Sequence, residues 1–140
     1  MSRPYIGGSS AGVVDVSADL TLGVADSGKS FFMDPNATGG IDITLPAVSN
    51  KGFEATFYLS VVGDGITKDA DIVQAGATED FLGMIIDGEG TVDVPIAGDT
   101  KVIFDQSGGG AVGDWVHLVS NGTNWYVSGM CNTAASVVFG

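Results

Sequence analysis

Residues 23–30 read Gly-Val-Ala-Asp-Ser-Gly-Lys-Ser and fit the pattern G-x-x-x-x-G-K-[ST] letter for letter. In a nucleotide-binding loop that pattern works because a helix begins at the lysine, so that free amides and the helix dipole hold phosphate. Here Phe31, Phe32 and Met33 run straight on into Asp34 and Pro35, which is a strand stopped by a proline. Asp26 also places a like charge where phosphate would sit. The expectation is strand, turn, strand, with no nucleotide.

The other reactive side chains are scattered. His117, the single histidine, stands between Val116 and Leu118 in a β-type run, where it reads as structure rather than as a general base. Nothing pairs Ser, His and Asp at a recognisable elbow that would present a nucleophilic serine. The lone cysteine, Cys131, has no partner for an intramolecular disulfide and reads as an inert packed thiol. Oxygen ligands for Ca²⁺ are conceivable at Asp64, Asp69 and Asp71, or at Asp87, Glu89 and Asp93, but neither set has the EF-hand spacing. Solvated acidic loops are the simpler reading. The chain is therefore expected not to be an enzyme and to hold no cofactor or metal.

Charge narrows the partners. Seventeen acids against five bases give a net charge of −12, which argues against nucleic acid and against an anionic membrane, both of which demand Lys and Arg. Only 16% of the residues are charged, against roughly 25% in an average soluble domain. A chain this short of charge has few groups to solvate its surface, so part of that surface is expected to be covered by copies of itself or by a partner. No run reaches the roughly 20 apolar residues of a membrane helix, and residues 1–12 do not read as a signal peptide, so synthesis in a reducing cytoplasm is expected.

These side chains must be positioned by strands. The centre of the pattern is residues 113–128, where two β-branched and aromatic runs, 115–119 and 125–127, flank Asn121-Gly122. Asn-Gly accepts the positive φ of a tight hairpin, and both tryptophans lie here, so the hairpin is expected to form one wall of the core. Further strands are expected over 13–16, 19–22, 29–33, 41–45, 53–62, 71–75, 84–86, 91–95, 101–105 and 136–139, with a helical turn over 78–82 capped by Thr78. Short strands separated every 8–12 residues by Gly, Pro, Asn and Asp predict an all-β fold, a compact antiparallel sandwich or jelly-roll-like barrel. Residues 13–140 form its single domain. Residues 1–12 are read as an extended N-terminal arm, with Arg3 as its only charged side chain and Pro4, Tyr5 and Ile6 as an apolar anchor.

Three stretches taken together resemble the small virion proteins of tailed bacteriophages: residues 26–34 (Asp-Ser-Gly-Lys-Ser-Phe-Phe-Met-Asp), residues 43–47 (Ile-Thr-Leu-Pro-Ala) and residues 113–127. Their order looks like that of capsid decoration (cement) proteins and is similar to β-modules in tail fibres and tailspikes. The resemblance implies a β-rich, typically trimeric structural protein without catalytic residues. Its partner would be the major capsid protein, on the outer capsid surface of a virion assembled in the host cytoplasm. The size of the chain favours decoration over a long-shafted fibre, and Arg3, Pro4, Tyr5 and Ile6 are then the expected attachment residues. A receptor- or glycan-binding knob using Trp115, Trp125 or Tyr126 is the alternative.

Overall fold

The computed structural model describes residues 12–64 and 67–140, and these build two mixed β-sheets packed face to face around one core. The strands in chain order are β1 (Val13–Val16), β2 (Leu20–Thr21), β3 (Ser30–Met33), β4 (Ile41–Thr44), β5 (Glu54–Leu59), β6 (Ala70–Val73), β7 (Phe81–Asp87), β8 (Val92–Asp93), β9 (Lys101–Phe104), β10 (Trp115–Ser120), β11 (Trp125–Cys131) and β12 (Val137–Phe139). One sheet runs β1-β3-β5-β10-β11-β7-β8 and the other β12-β9-β6-β4-β2. The fold is all-β, as composition and turn spacing predict.

The expected antiparallel arrangement is corrected. Five of the ten strand pairings are parallel: β1 with β3, β3 with β5, β11 with β7, β2 with β4, and β4 with β6. The cause is the path of the first six strands, which alternate strictly between the two sheets. Each strand crosses the edge of the core and lies in the opposite sheet, so it never folds back on its predecessor. The following strand returns beside the one two places earlier, in the same direction. The N-terminal half is therefore wound as a flattened coil, and hairpins appear only afterwards, between β7 and β8 and between β10 and β11.

Alternation decides which side chains enter the core. Phe31, Met33, Phe57 and Leu59 from β3 and β5, Val116 and Leu118 from β10, and Trp125 and Val127 from β11 face inward from the large sheet. Ile41, Ile43, Ala70, Ile72, Val102 and Phe104 meet them from the small one. Phe31 stacks on Phe57 at 5.2 Å between ring centroids, and Trp125, fully buried, meets the ring of Phe53 edge-on at 5.9 Å. Each such side chain contributes roughly 1.5–3 kcal/mol by leaving water. One edge of the sandwich is clasped by Asp93 of β8, whose Oδ2 accepts the Phe139 amide of β12 at 3.0 Å.

One local expectation also changes. The stretch 78–82 is no helical turn: the Glu79 carboxylate instead accepts the Gly76 amide at 3.0 Å, and Phe81 already begins β7, buried opposite Trp125. The β10–β11 hairpin forms where the Asn-Gly pair places it, through a four-residue loop with Ser120 paired to Trp125. Gly122 alone takes positive φ, at 96°, while the Asn121 side chain accepts the amides of Thr123 and Asn124. The Asn-Gly signal marks the right place through its side-chain bonds. No described helix is long and apolar enough to cross a membrane.

Candidate interaction face

The strand register lays out the outer face of the seven-stranded sheet. Side chains pointing away from the core fall in rows, because residues directly opposite on neighbouring strands share a face. One row crosses the sheet through Phe32, Tyr58, Trp115, Met130, Ile86 and Val92. These six are all apolar or aromatic, and the row ends at the β1 edge on Asp15, opposite Phe32. Phe32 and Tyr58 stack at 5.1 Å, nearly parallel. Beside this row lie Val119, Tyr126 and Leu82, opposite one another on β10, β11 and β7. Tyr126, Met84 and Met130 are 48%, 47% and 52% exposed, more than a large apolar side chain ordinarily shows to water.

Between the two apolar rows runs a narrow polar line of Ser30, Thr56, His117 and Ser128. Two of its four members pair with each other. Thr56 Oγ1 and His117 Nδ1 share a hydrogen bond of 2.8 Å, and His117 Nε2 lies 3.7 Å from Glu54 Oε2. Apart from Glu54 and His117, the ionisable side chain on the strands of this face is Asp15, on the edge strand β1. No lysine lies on these strands.

The opposite side of the molecule is built differently. Outward positions on the small sheet include Asp42, Asp71 and Lys101 beside Thr21 and Thr44. Lys101 Nζ donates to Asp71 Oδ2 at 2.6 Å, which raises the lysine pKa. Burial nevertheless pushes the Asp71 carboxyl above its ordinary value, outweighing the lysine, with Asp42 and Asp69 adding to the rise. The two faces thus differ: one is apolar and nearly free of charge, whereas the other sets Asp42, Asp71 and Lys101 among Val73, Ile103 and Val138.

The residues singled out for chemistry are placed as follows. Lys29 leads into β3 rather than a helix, and its Nζ bonds Asp26 at 2.8 Å, lowering the Asp26 pKa. Asp69 accepts the Gln106 amide, Asp71 holds Lys101, and Asp64 donates its own amide to Asn36. The Asp69 and Asp71 carboxylates are engaged with protein groups, Asp64 only through its backbone, and among the described residues no three His, Cys, Asp or Glu side chains gather to hold a metal. Asp87 shapes the β7–β8 turn, its Oδ1 accepting the amides of Glu89 and Thr91 at 2.8 Å. Burial opposes its ionisation, but the donors from Thr91, Glu89 and Gly90 prevail and hold its pKa below the usual carboxylate value. Cys131 is buried beside Asp87 on a cavity of about 80 Å³, and burial pushes its thiol up, away from reactivity. Trp125 is in the core, so only Trp115 and Tyr126 of the aromatic trio reach the outer face.

Sequence reading located the β10–β11 hairpin but missed the face on which it sits. Val119, Tyr126 and Met130 show their outward alternation plainly, yet the row that joins them to Phe32, Tyr58 and Ile86 exists only once the strands are paired. Arg3, Pro4, Tyr5 and Ile6, the expected attachment residues, lie outside the described residues. No protein-family model, curated protein or solved structure matches the chain.

Proposed function

We propose that this chain is a non-enzymatic capsid decoration (cement) protein of a tailed bacteriophage, a homotrimer that binds the major capsid protein on the outer surface of the shell and stabilises it. The observation that carries this reading is the division of the molecule into an apolar, charge-poor face and one that carries Asp42, Asp71 and Lys101. A sandwich of this kind needs a protein surface to cover one side and tolerates solvent on the other. The sequence resemblance to phage virion modules supplies the setting. In that setting each trimer spans seams between capsid subunits, and three modest contacts add through avidity. Residues 1–12, with Arg3, Pro4, Tyr5 and Ile6, act as the attaching arm, and Arg3 gives the arm a positive charge that the rest of the acidic chain offers sparingly. The assembled chain belongs to the virion, having been made in the host cytoplasm, and has no role with nucleic acid or membrane.

The test is copy number. The chain is quantified against the major capsid protein in purified particles. Hundreds of copies, approaching the capsid count, are expected. Absence from the particle would end the virion reading.

The exposed Tyr126 and the half-buried Trp115, on separate rows of the same face, favour one second reading, a fibre knob that stacks these rings on receptor sugars. That reading predicts a few dozen copies or fewer per particle, and glycan binding lost in Tyr126→Ala.

A further inference from the structure

We propose that the outer face of the seven-stranded sheet is where copies of this chain pack on one another, so that the subunits of the oligomer meet through the Phe32–Val92 row and the flanking Tyr126, Met84 and Leu82. The inference rests on the trimer reading above and deepens it by naming the surface.

Three observations point to a second copy as the occupant. The first is extent. The row runs unbroken from β3 to β8, and its aromatic members each carry roughly 150–250 Å² of surface, so their exposed parts with those of Met84, Ile86, Leu82 and Met130 reach several hundred Å². That is at or above the largest patch of a typical monomer and near the ~800 Å² per partner of a stable interface.

The second is charge. Each copy carries −12, so two copies repel wherever they present carboxylates. On the small sheet Asp42 and Asp71 stand outward with Asp19 and Asp69 close by, and that side is unfit to meet itself. Across the apolar row such repulsion is small, since Asp15 lies on the edge strand and Glu54 sits beside His117. Joining through this face turns the acidic surfaces outward.

The third is polar satisfaction. Covering a polar group without a partner is costly, but the line between the apolar rows already pairs Thr56 with His117 at 2.8 Å, so those groups enter the contact with a bond made. Met84 and Met130, the most adaptable apolar side chains, stand on adjacent strands and can conform to a facing copy.

The experiment is sedimentation equilibrium of the full chain from nanomolar to micromolar, on the wild type, the Met84→Glu/Met130→Glu pair, the milder Met84→Gln/Met130→Gln pair, and Thr21→Glu on the opposite face. Far-UV circular dichroism checks folding, and the glutamine pair keeps the test open if the glutamate pair does not fold. Burying two unpaired carboxylates per copy is expected to weaken association by at least about 100-fold, the glutamine pair less, with Thr21→Glu leaving it unchanged. Folded methionine variants that still assemble like the wild type overturn the assignment of this face while leaving the trimer standing. Variants that assemble normally but no longer bind capsids also overturn it, because the face would then belong to the capsid protein. A monomeric wild type that still coats particles overturns this inference and the trimer, and leaves decoration intact.

Discussion

At the scale of single residues, the two tryptophans occupy opposite sides of one sheet and have opposite consequences. Trp125 has no exposed surface and meets Phe53 edge-on, so its removal opens a large cavity where the two sheets meet. Trp125→Ala is expected to destabilise the folded chain by about 3–5 kcal/mol, read from urea unfolding. Trp115→Ala, on the outer face, should cost the isolated subunit far less. Asp87 makes a different kind of prediction. Its folded pKa lies below the 3.8 of a free aspartate, so the unfolded chain binds the proton first as pH falls. The stability it contributes is present above pH 3.8 and is lost as pH falls through its folded value. Asp87→Asn should flatten the acid limb of a stability–pH profile while leaving the slope near neutrality unchanged. Asp71 has the reverse sign: its raised pKa favours the folded state at low pH, and that contribution disappears as pH rises through the folded value.

At the scale of elements, the β7–β11 pair is the least forgiving joint. It is parallel and lies between the central hairpin and the edge strand β8. Gly83 takes φ of 133° in β7, and a Cβ there would drive into the backbone carbonyl of Val127. Gly83→Ala must therefore separate the two strands and disturb the burial of Phe81 and Ile85. The expected result is early hydrogen exchange across β7 and β8 with β3–β5 still protected, measured by amide exchange. The same elements explain how far the sequence could be read. Alternation around Ile41, Ile43, Val102 and Phe104 placed β4 and β9 to within a residue, because a half-buried strand writes its inward face into every second position. It gave no sign that residues 17–19 carry the chain over the core edge rather than back beside β1, since Ser, Ala and Asp serve either path. Parallel pairing was invisible for that reason. So was the outer face, whose rows draw one or two residues from each of six strands spread over the chain.

At the scale of the molecule, the lopsided charge and the apolar face together fix how assembly should respond to salt. Each copy carries −12, so joining copies by any surface brings like charges nearer. Salt shortens the reach of that repulsion from about 30 Å at 0.01 M to about 8 Å at 0.15 M. If the copies meet through the Phe32–Val92 row, nothing attractive is screened in exchange, because the carboxylates outward on this face, Glu54 and Asp15, meet no lysine or arginine on its strands. Association should therefore tighten as NaCl rises over that range, by around tenfold, the ~1.4 kcal/mol that a few screened like-charge approaches through water amount to. Sulfate at equal ionic strength should tighten it further, since it strengthens apolar burial. The opposite sign is equally informative. Weakening with salt would mean that the copies are held by attraction between cations and the acidic side around Asp42 and Asp71, and the apolar face would then need some other cover. Sedimentation at three NaCl concentrations and one of sulfate decides between the two.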